Sequence, residues 1–207
     1  MFYNNVRMDK KIRQLRRVDY FGKSMRLAAE KWGCPWKTLI SIMLSARTRD
    51  ETTMVVAKEL FKRFPSLIKL SGAKLGEIEK VIKPINFYKN KSRNILNSAK
   101  ILVKAYGSNV PMQFGELMKL PGVGRKTANV FLSEYGEDAI GVDTHVFYIS
   151  KRLGWCKGKT PDKVESELKR IFPKQYWRRL NPILVRFGKT YTSKKEKDIL
   201  LEKIRNS

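Results

Sequence analysis

The chain has 207 residues, a length for one compact domain or two small ones, and its 42% hydrophobic content is enough to close a core, which excludes disorder as its main state. Lys+Arg 44 against Asp+Glu 19 leaves a formal charge of +25, far beyond what solubility needs, so a polyanion is the expected partner. No run nears the roughly 20 apolar residues of a membrane span, and four Trp, eight Tyr and ten Phe scattered through the chain favour nucleic acid over a membrane.

Only two cysteines occur, Cys34 and Cys156, which excludes a disulfide framework or a four-Cys site within one chain. The amino-terminal stretch MFYNNVRMDKKIRQLRRVDYFGK is charged and lacks the apolar segment and cleavage site of a secretory signal. A reducing cytoplasm is the expected location.

In chain order, Pro35 opens a predicted helix with Leu39, Ile42, Met43 and Ala46 on its apolar face. Asp50 is placed to cap a helix over 51–64 that carries Val55, Ala57, Leu60 and Phe61. A helix begun near Lys91 holds Ile95, Leu96, Ala99, Leu102 and Val103 and ends at Gly107. Helical runs over 114–119 and 127–135 flank a glycine turn, and Thr160-Pro161 opens a helix over 162–171. Strand alternation is scarce, and 139–142 is too short and too close to Gly136 and Gly141 to anchor a sheet. The expected fold is all-α.

Charge is spread unevenly along these helices. No acid lies between Glu79 and Glu116, where Lys80, Lys83, Lys89, Lys91, Arg93, Lys100 and Lys104 fall, and none between Glu167 and Glu196, where Lys169, Lys174, Arg178, Arg179 and Arg186 are among the cations. One such residue reads as a solvated helix face, but two long stretches without counter-charge point to phosphate contact.

The segment Leu120-Pro-Gly-Val-Gly-Arg-Lys-Thr-Ala128 joins two helical runs. Gly122 and Gly124 permit backbone angles closed to other residues, so amides at the next helix's amino end can face an anion such as a DNA phosphate. A plain helix-helix turn is the alternative for two glycines alone. Pro121, Arg125 and the basic surroundings favour the phosphate, and Thr127 is expected at the DNA with Arg125.

LPGVGRKTA, with Val142-Asp-Thr-His145 downstream, resembles the helix-hairpin-helix DNA glycosylases of the endonuclease III branch. Pro35-Trp36 through Leu44-Ser45-Ala46 and Asp50 is similar to that family's early core helix and following loop, and Ile85-Asn-Phe-Tyr88 with Lys91 is similar to its second DNA-probing loop. The resemblance covers roughly residues 10 to 190. It implies two helical domains flanking a DNA-binding cleft: a six-helix barrel at 27–138, with the helix-hairpin-helix at about 114–135, and a second domain built from 1–26 and 139–207.

The resemblance also implies a chemistry for Lys126 and Asp143. An amine attacks a sugar C1′ only when unprotonated, so the site must lower the ordinary lysine pKa of about 10.4 by burial and by neighbouring cations such as Arg125. Lys126 is then the nucleophile, whose Schiff base with the opened sugar permits β-elimination. Asp143 supports the positive charge that grows on the sugar, and it is also placed to cap the helix that starts at His145. Two further residues are implied at the DNA. Arg47 stands where family members often carry Gln, and it fills the gap left by a flipped base or contacts a phosphate. Phe87 is a wedge into the base stack or a core residue. His145 is expected at a phosphate or a backbone group.

The family commonly ends in a four-Cys iron-sulfur loop, and the corresponding tail here, Phe187-Gly-Lys-Thr-Tyr-Thr-Ser-Lys-Lys-Glu, has no cysteine. No cofactor and no metal are therefore expected, with Tyr191, Ile199 and Leu200 packing in the cluster's place. The function that follows is a bifunctional DNA glycosylase and AP lyase of base excision repair. It would act as a monomer, associated with the nucleoid, on oxidised pyrimidines and abasic sites in duplex DNA. A mismatch-specific thymine, uracil or adenine glycosylase is a rival that lacks the hairpin lysine, and a noncatalytic DNA-binding module is another.

Overall fold

The computed structural model describes the backbone from residue 2 and the side chains from Met8 to the carboxyl end. Among the described residues the regular structure is helical, without strands. In chain order the helices are α1 (Phe2–Phe21), α2 (Pro35–Ser45), α3 (Asp50–Arg63), α4 (Leu67–Ser71), α5 (Leu75–Ile82), α6 (Tyr88–Tyr106), α7 (Phe114–Leu117), α8 (Arg125–Glu134), α9 (Thr144–Arg152), α10 (Pro161–Ile171), α11 (Trp177–Thr190) and α12 (Lys194–Asn206).

Local chemistry sets most of these boundaries. Pro35 occupies the first turn of α2, where its missing N–H costs nothing. The Thr160 hydroxyl accepts from the Lys163 amide at the head of α10, and Gly107 ends α6 in the left-handed conformation at φ 56°. Asp50 differs from expectation: it lies inside the first turn of α3 with Glu51, opposing the helix dipole, and Arg49 takes the cap position with no side-chain bond.

The chain forms two compact units: Leu27–Glu134, carrying α2 to α8, and the two chain ends, up to Arg26 and from Tyr135 onward. In the first unit α2 is the central element, packing against α3, α6 and α8. Its Leu39, Ile42 and Leu44 are fully buried, and the polar Thr38 and Ser41 are buried with them. In the second unit Leu15 and Val18 of α1 share a core with Val146 and Ile149 of α9, Leu184 and Phe187 of α11, and the last helix.

That last helix is held by specific ties. Leu201 and Ile204 are buried, and the Asp198 carboxylate takes the Arg152 guanidinium at 2.8 Å and the Tyr148 hydroxyl. Gln14 donates to the Arg205 carbonyl at 3.0 Å and accepts from the Trp155 indole at 2.8 Å. Tyr191 and Leu200 pack on the core as expected, but Ile199 does not, being 47% exposed. Two residues before Leu201, it projects to the opposite side of the helix. Leu201→Ala should therefore cost about 3 kcal/mol in urea unfolding, within the usual range for an emptied leucine site, whereas Ile199→Ala should stay within about 0.5 kcal/mol. No described helix is long and apolar enough to cross a membrane.

Candidate functional site

The glycine turn between α7 and α8 is fastened to the rest of its unit. Ser98 of α6 donates to the Pro121 carbonyl at 2.8 Å. Gly122 has φ +79°, and a Cβ there would lie 2.8 Å from Cβ and Nδ2 of Asn94 and 3.0 Å from Cε of Met43. Conformation and space both demand glycine at this position.

Gly124 is different. It is exposed, is not among the residues of positive φ, and a Cβ on it would meet nothing within 4 Å. The expectation that both glycines supply forbidden angles holds for Gly122 alone. What Gly124 offers is open space at the head of α8, where the first-turn amides have no i−4 carbonyl within the helix and the dipole favours an anion. α8 begins at Arg125, two residues earlier than expected, which puts Arg125 and Lys126 in that first turn.

The exposed Arg125 guanidinium lies 5.2 Å from the centre of the Phe114 ring, and Lys126 is half-buried. Thr127, expected at the DNA, is only 8% exposed. Its side chain packs into the unit, because two residues along a helix turn the chain by roughly 200° from Arg125. Only its amide is placed to serve an anion.

Arg47 and Phe87 share a second constellation in the same unit. Thr48 N–H bonds the Ser45 carbonyl at 3.1 Å, closing a turn in which Ala46 has φ −58°, ψ 117° and Arg47 has φ 57°. This is a type II turn with arginine where glycine ordinarily sits. Phe87 also has φ 60°, at the head of α6. Non-glycine residues in this region cost of order 1–3 kcal/mol each and persist only where their surroundings enforce them.

The Arg47 guanidinium stands 5.6 Å from the centre of the Phe87 ring, and Phe87 is 59% exposed. Core packing is thereby excluded for Phe87. Replacing Arg47 with Gly should raise stability by roughly 1 kcal/mol, since the strain is removed. Chemical denaturation of Arg47→Gly beside the natural protein checks this.

Lys91 departs from its sequence reading as a phosphate contact. Its ammonium turns inward and donates to the carbonyls of Leu44 at 2.7 Å and Ala46 at 2.6 Å, with the Thr48 hydroxyl at 3.5 Å. Burial, and secondarily the charge of Lys126, draw the Lys91 ammonium down to about 8. At the end of α2 the segment Ser45-Ala-Arg-Thr48 has no capping glycine; its own donors serve the Ile42 and Ser45 carbonyls, and Lys91 serves those of Leu44 and Ala46.

In the other unit Asp143 caps α9 as expected, the helix beginning at Thr144 rather than His145, and its Oδ1 accepts from the Val146 amide at 2.9 Å. This fixes the direction of the carboxylate. His145 lies half-buried against α11, so close that a Cβ on Gly188 would be 2.2 Å from its Nδ1. Gly188 is glycine to admit the ring.

The acid-free stretches are not free of counter-charge in space. Lys174 pairs with Asp138 at 3.0 Å, Lys169 with Glu165 at 2.7 Å and Arg179 with Asp19 at 3.4 Å. Lys89, Arg93, Lys100 and Lys104 of α6 do lie exposed, as the polyanion argument requires.

The family described as HhH-GPD superfamily base excision DNA repair protein matches residues 40–174, well over half of the chain. The chain belongs to that superfamily. Within it, the chain is similar to endonuclease III of Thermotoga maritima, 44% identical over 156 residues that cover 75% of this chain and 73% of the relative. Endonuclease III of Bacillus subtilis is 41% identical over 75% of this chain and 72% of its own. A solved endonuclease III trapped as a covalent intermediate with DNA superposes with a TM-score of 0.82 at 34% identity, covering 90% of this chain and 88% of that one.

This member of the superfamily is thus an endonuclease III-like base excision repair DNA glycosylase. The matched region includes Arg47, Phe87, Lys126 and Asp143 but stops before α12. The iron-sulfur cluster that the family resemblance implies does not fit the residues present. Two thiols cannot supply four thiolates, Cys34 and Cys156 belong to different units, and burial, then Glu167, pushes the Cys156 thiol up to about 12.

Proposed function

We propose that this glycosylase is bifunctional, excising oxidised pyrimidines from duplex DNA and then nicking the strand as an AP lyase, with Lys126 as nucleophile and Asp143 as the supporting carboxylate. The observation that carries the reading is Lys126 itself, half-buried in the first turn of α8 and near enough to Lys91 for the two positive charges to act on each other. An amine must lose its proton to attack, which the reading requires of Lys126 at this position. The rival mismatch branches typically carry Tyr or Ser in place of the hairpin lysine.

In the proposed reaction the Lys126 nitrogen forms a bond to C1′ as the glycosidic bond breaks and the base departs with its electron pair. Asp143 opposes the positive charge that develops on the sugar and helps move the proton. Ring opening leaves an imine between Lys126 and C1′. The imine acidifies C2′–H, and loss of that proton expels the 3′ phosphate. The base enters and leaves by extrusion, Arg47 and Phe87 taking its place in the stack while the head of α8 holds a phosphate without reading sequence.

The protein is proposed to act as a monomer in the nucleoid, needing no cofactor. Purified protein should be colourless, and chelators should leave it folded, because its tail is held by α12 rather than by a cluster. Stoichiometric iron in elemental analysis would contradict this. A panel of duplexes, each with one oxidised pyrimidine, one mismatch or one abasic site, tests the function. Excision of the lesion with nicking at the abasic site is expected, whereas release of mismatched thymine or adenine without nicking would transfer the chain to the rival branch.

A further inference from the structure

We propose that Lys91 is a positioning residue for base excision, its side chain and backbone together locking the turn that carries Arg47 to the loop that carries Phe87. The inference rests on the reading of Arg47 and Phe87 as the pair that replaces an extruded base. Lys91 touches both segments directly. Its ammonium donates to Leu44 and Ala46 carbonyls on one side, and its amide donates to the Phe87 carbonyl at 3.1 Å on the other.

Asn86 and Thr48 add a second set of ties between the same segments. The Asn86 amide donates to the Thr48 hydroxyl at 3.2 Å, and the Asn86 side chain donates to the Arg47 carbonyl. Both residues that the lock holds, Arg47 and Phe87, are in the left-handed region, and each is exposed. Strain of this kind relaxes unless neighbouring bonds oppose it. Three donors on one nitrogen suit the cluster of acceptors at the end of α2, a task a neutral side chain of similar length cannot perform.

A role through Lys126 is the competing explanation, because the two ammonium groups interact. The two accounts separate by substrate. Loss of a lock should impair flipping of a paired base and largely spare an abasic site, where no base must be extruded. Loss of an electrostatic partner of Lys126 should impair both.

Lys91→Met, Lys91→Arg and Asn86→Ala would be compared with the natural protein in single-turnover excision of a paired lesion, nicking at a preformed abasic site, and amide hydrogen exchange. Lys91→Met is expected to slow excision at least roughly tenfold and nicking less than about threefold. Exchange should quicken at residues 46–49 and 86–88 while the core stays protected. Lys91→Arg, which keeps the charge and donors, should recover part of the loss. Asn86→Ala should show the same split in smaller degree, and it decides the matter if Lys91→Met does not fold.

Equal loss on both substrates, or unchanged exchange in both loops, would overturn the lock. If the natural protein excises nothing, the reading of the reaction fails, yet the exchange measurement still judges the lock on its own.

Discussion

Asp143→Asn is expected to slow excision of an intact damaged base by about 100-fold or more, a loss typical of removing one preorganised electrostatic group, while nicking of a preformed abasic site falls much less. Asp143 Oδ1 already receives the Val146 amide at 2.9 Å, and asparagine caps a helix as well as aspartate does. The substitution therefore removes the charge and leaves the start of α9 intact, so any change in rate reports on chemistry. Asp143→Ala makes the contrast, adding a loss of about 1 kcal/mol in stability for the missing cap. Denaturation midpoints that match between the Asn variant and the natural protein, alongside rates that do not, confirm the division. Unchanged excision would return Asp143 to a structural role, and an equal loss on both substrates would contradict a part confined to base removal.

Much of the fold was legible because helix boundaries are local events. Pro35, Thr160-Pro161 and Gly107 each act on the backbone within a few residues, and each does so where its neighbours predicted. The hairpin was legible as a motif, yet its two glycines have different reasons. Gly122 is required by Asn94 and Met43, which approach from other helices, while nothing in the chain crowds Gly124.

Charge was the least legible property, since a stretch without acids says nothing of acids folded against it. Arg179 meets Asp19 across 160 positions of sequence. Lys91 was hidden in the same way: its partners at Leu44 and Ala46 lie 47 and 45 positions earlier, and backbone carbonyls carry no sequence signature. Thr127 and Ile199 were misplaced by helix rotation alone, each being two residues from a neighbour on the opposite face.

Lys126→Gln carries the larger expected effect, complete loss of strand nicking. A glutamine amide cannot form an imine with the opened sugar, so neither the β-elimination nor a covalent adduct survives. Affinity for duplex DNA should stay within about tenfold of the natural protein, because one cation among many phosphate contacts shifts the salt slope by about one. Binding without nicking separates a dead catalyst from a misfolded one.

One amine, Lys126 at the head of the helix after the glycine turn, is proposed to make the bond to the sugar. Borohydride added during the reaction reduces the imine and fixes the protein to its DNA, and peptide mapping of the adduct then names the residue. The account predicts a trapped complex in which the modified peptide carries DNA on Lys126, and no complex from Lys126→Gln. An adduct on another amine, or one that forms undiminished in Lys126→Gln, would contradict it.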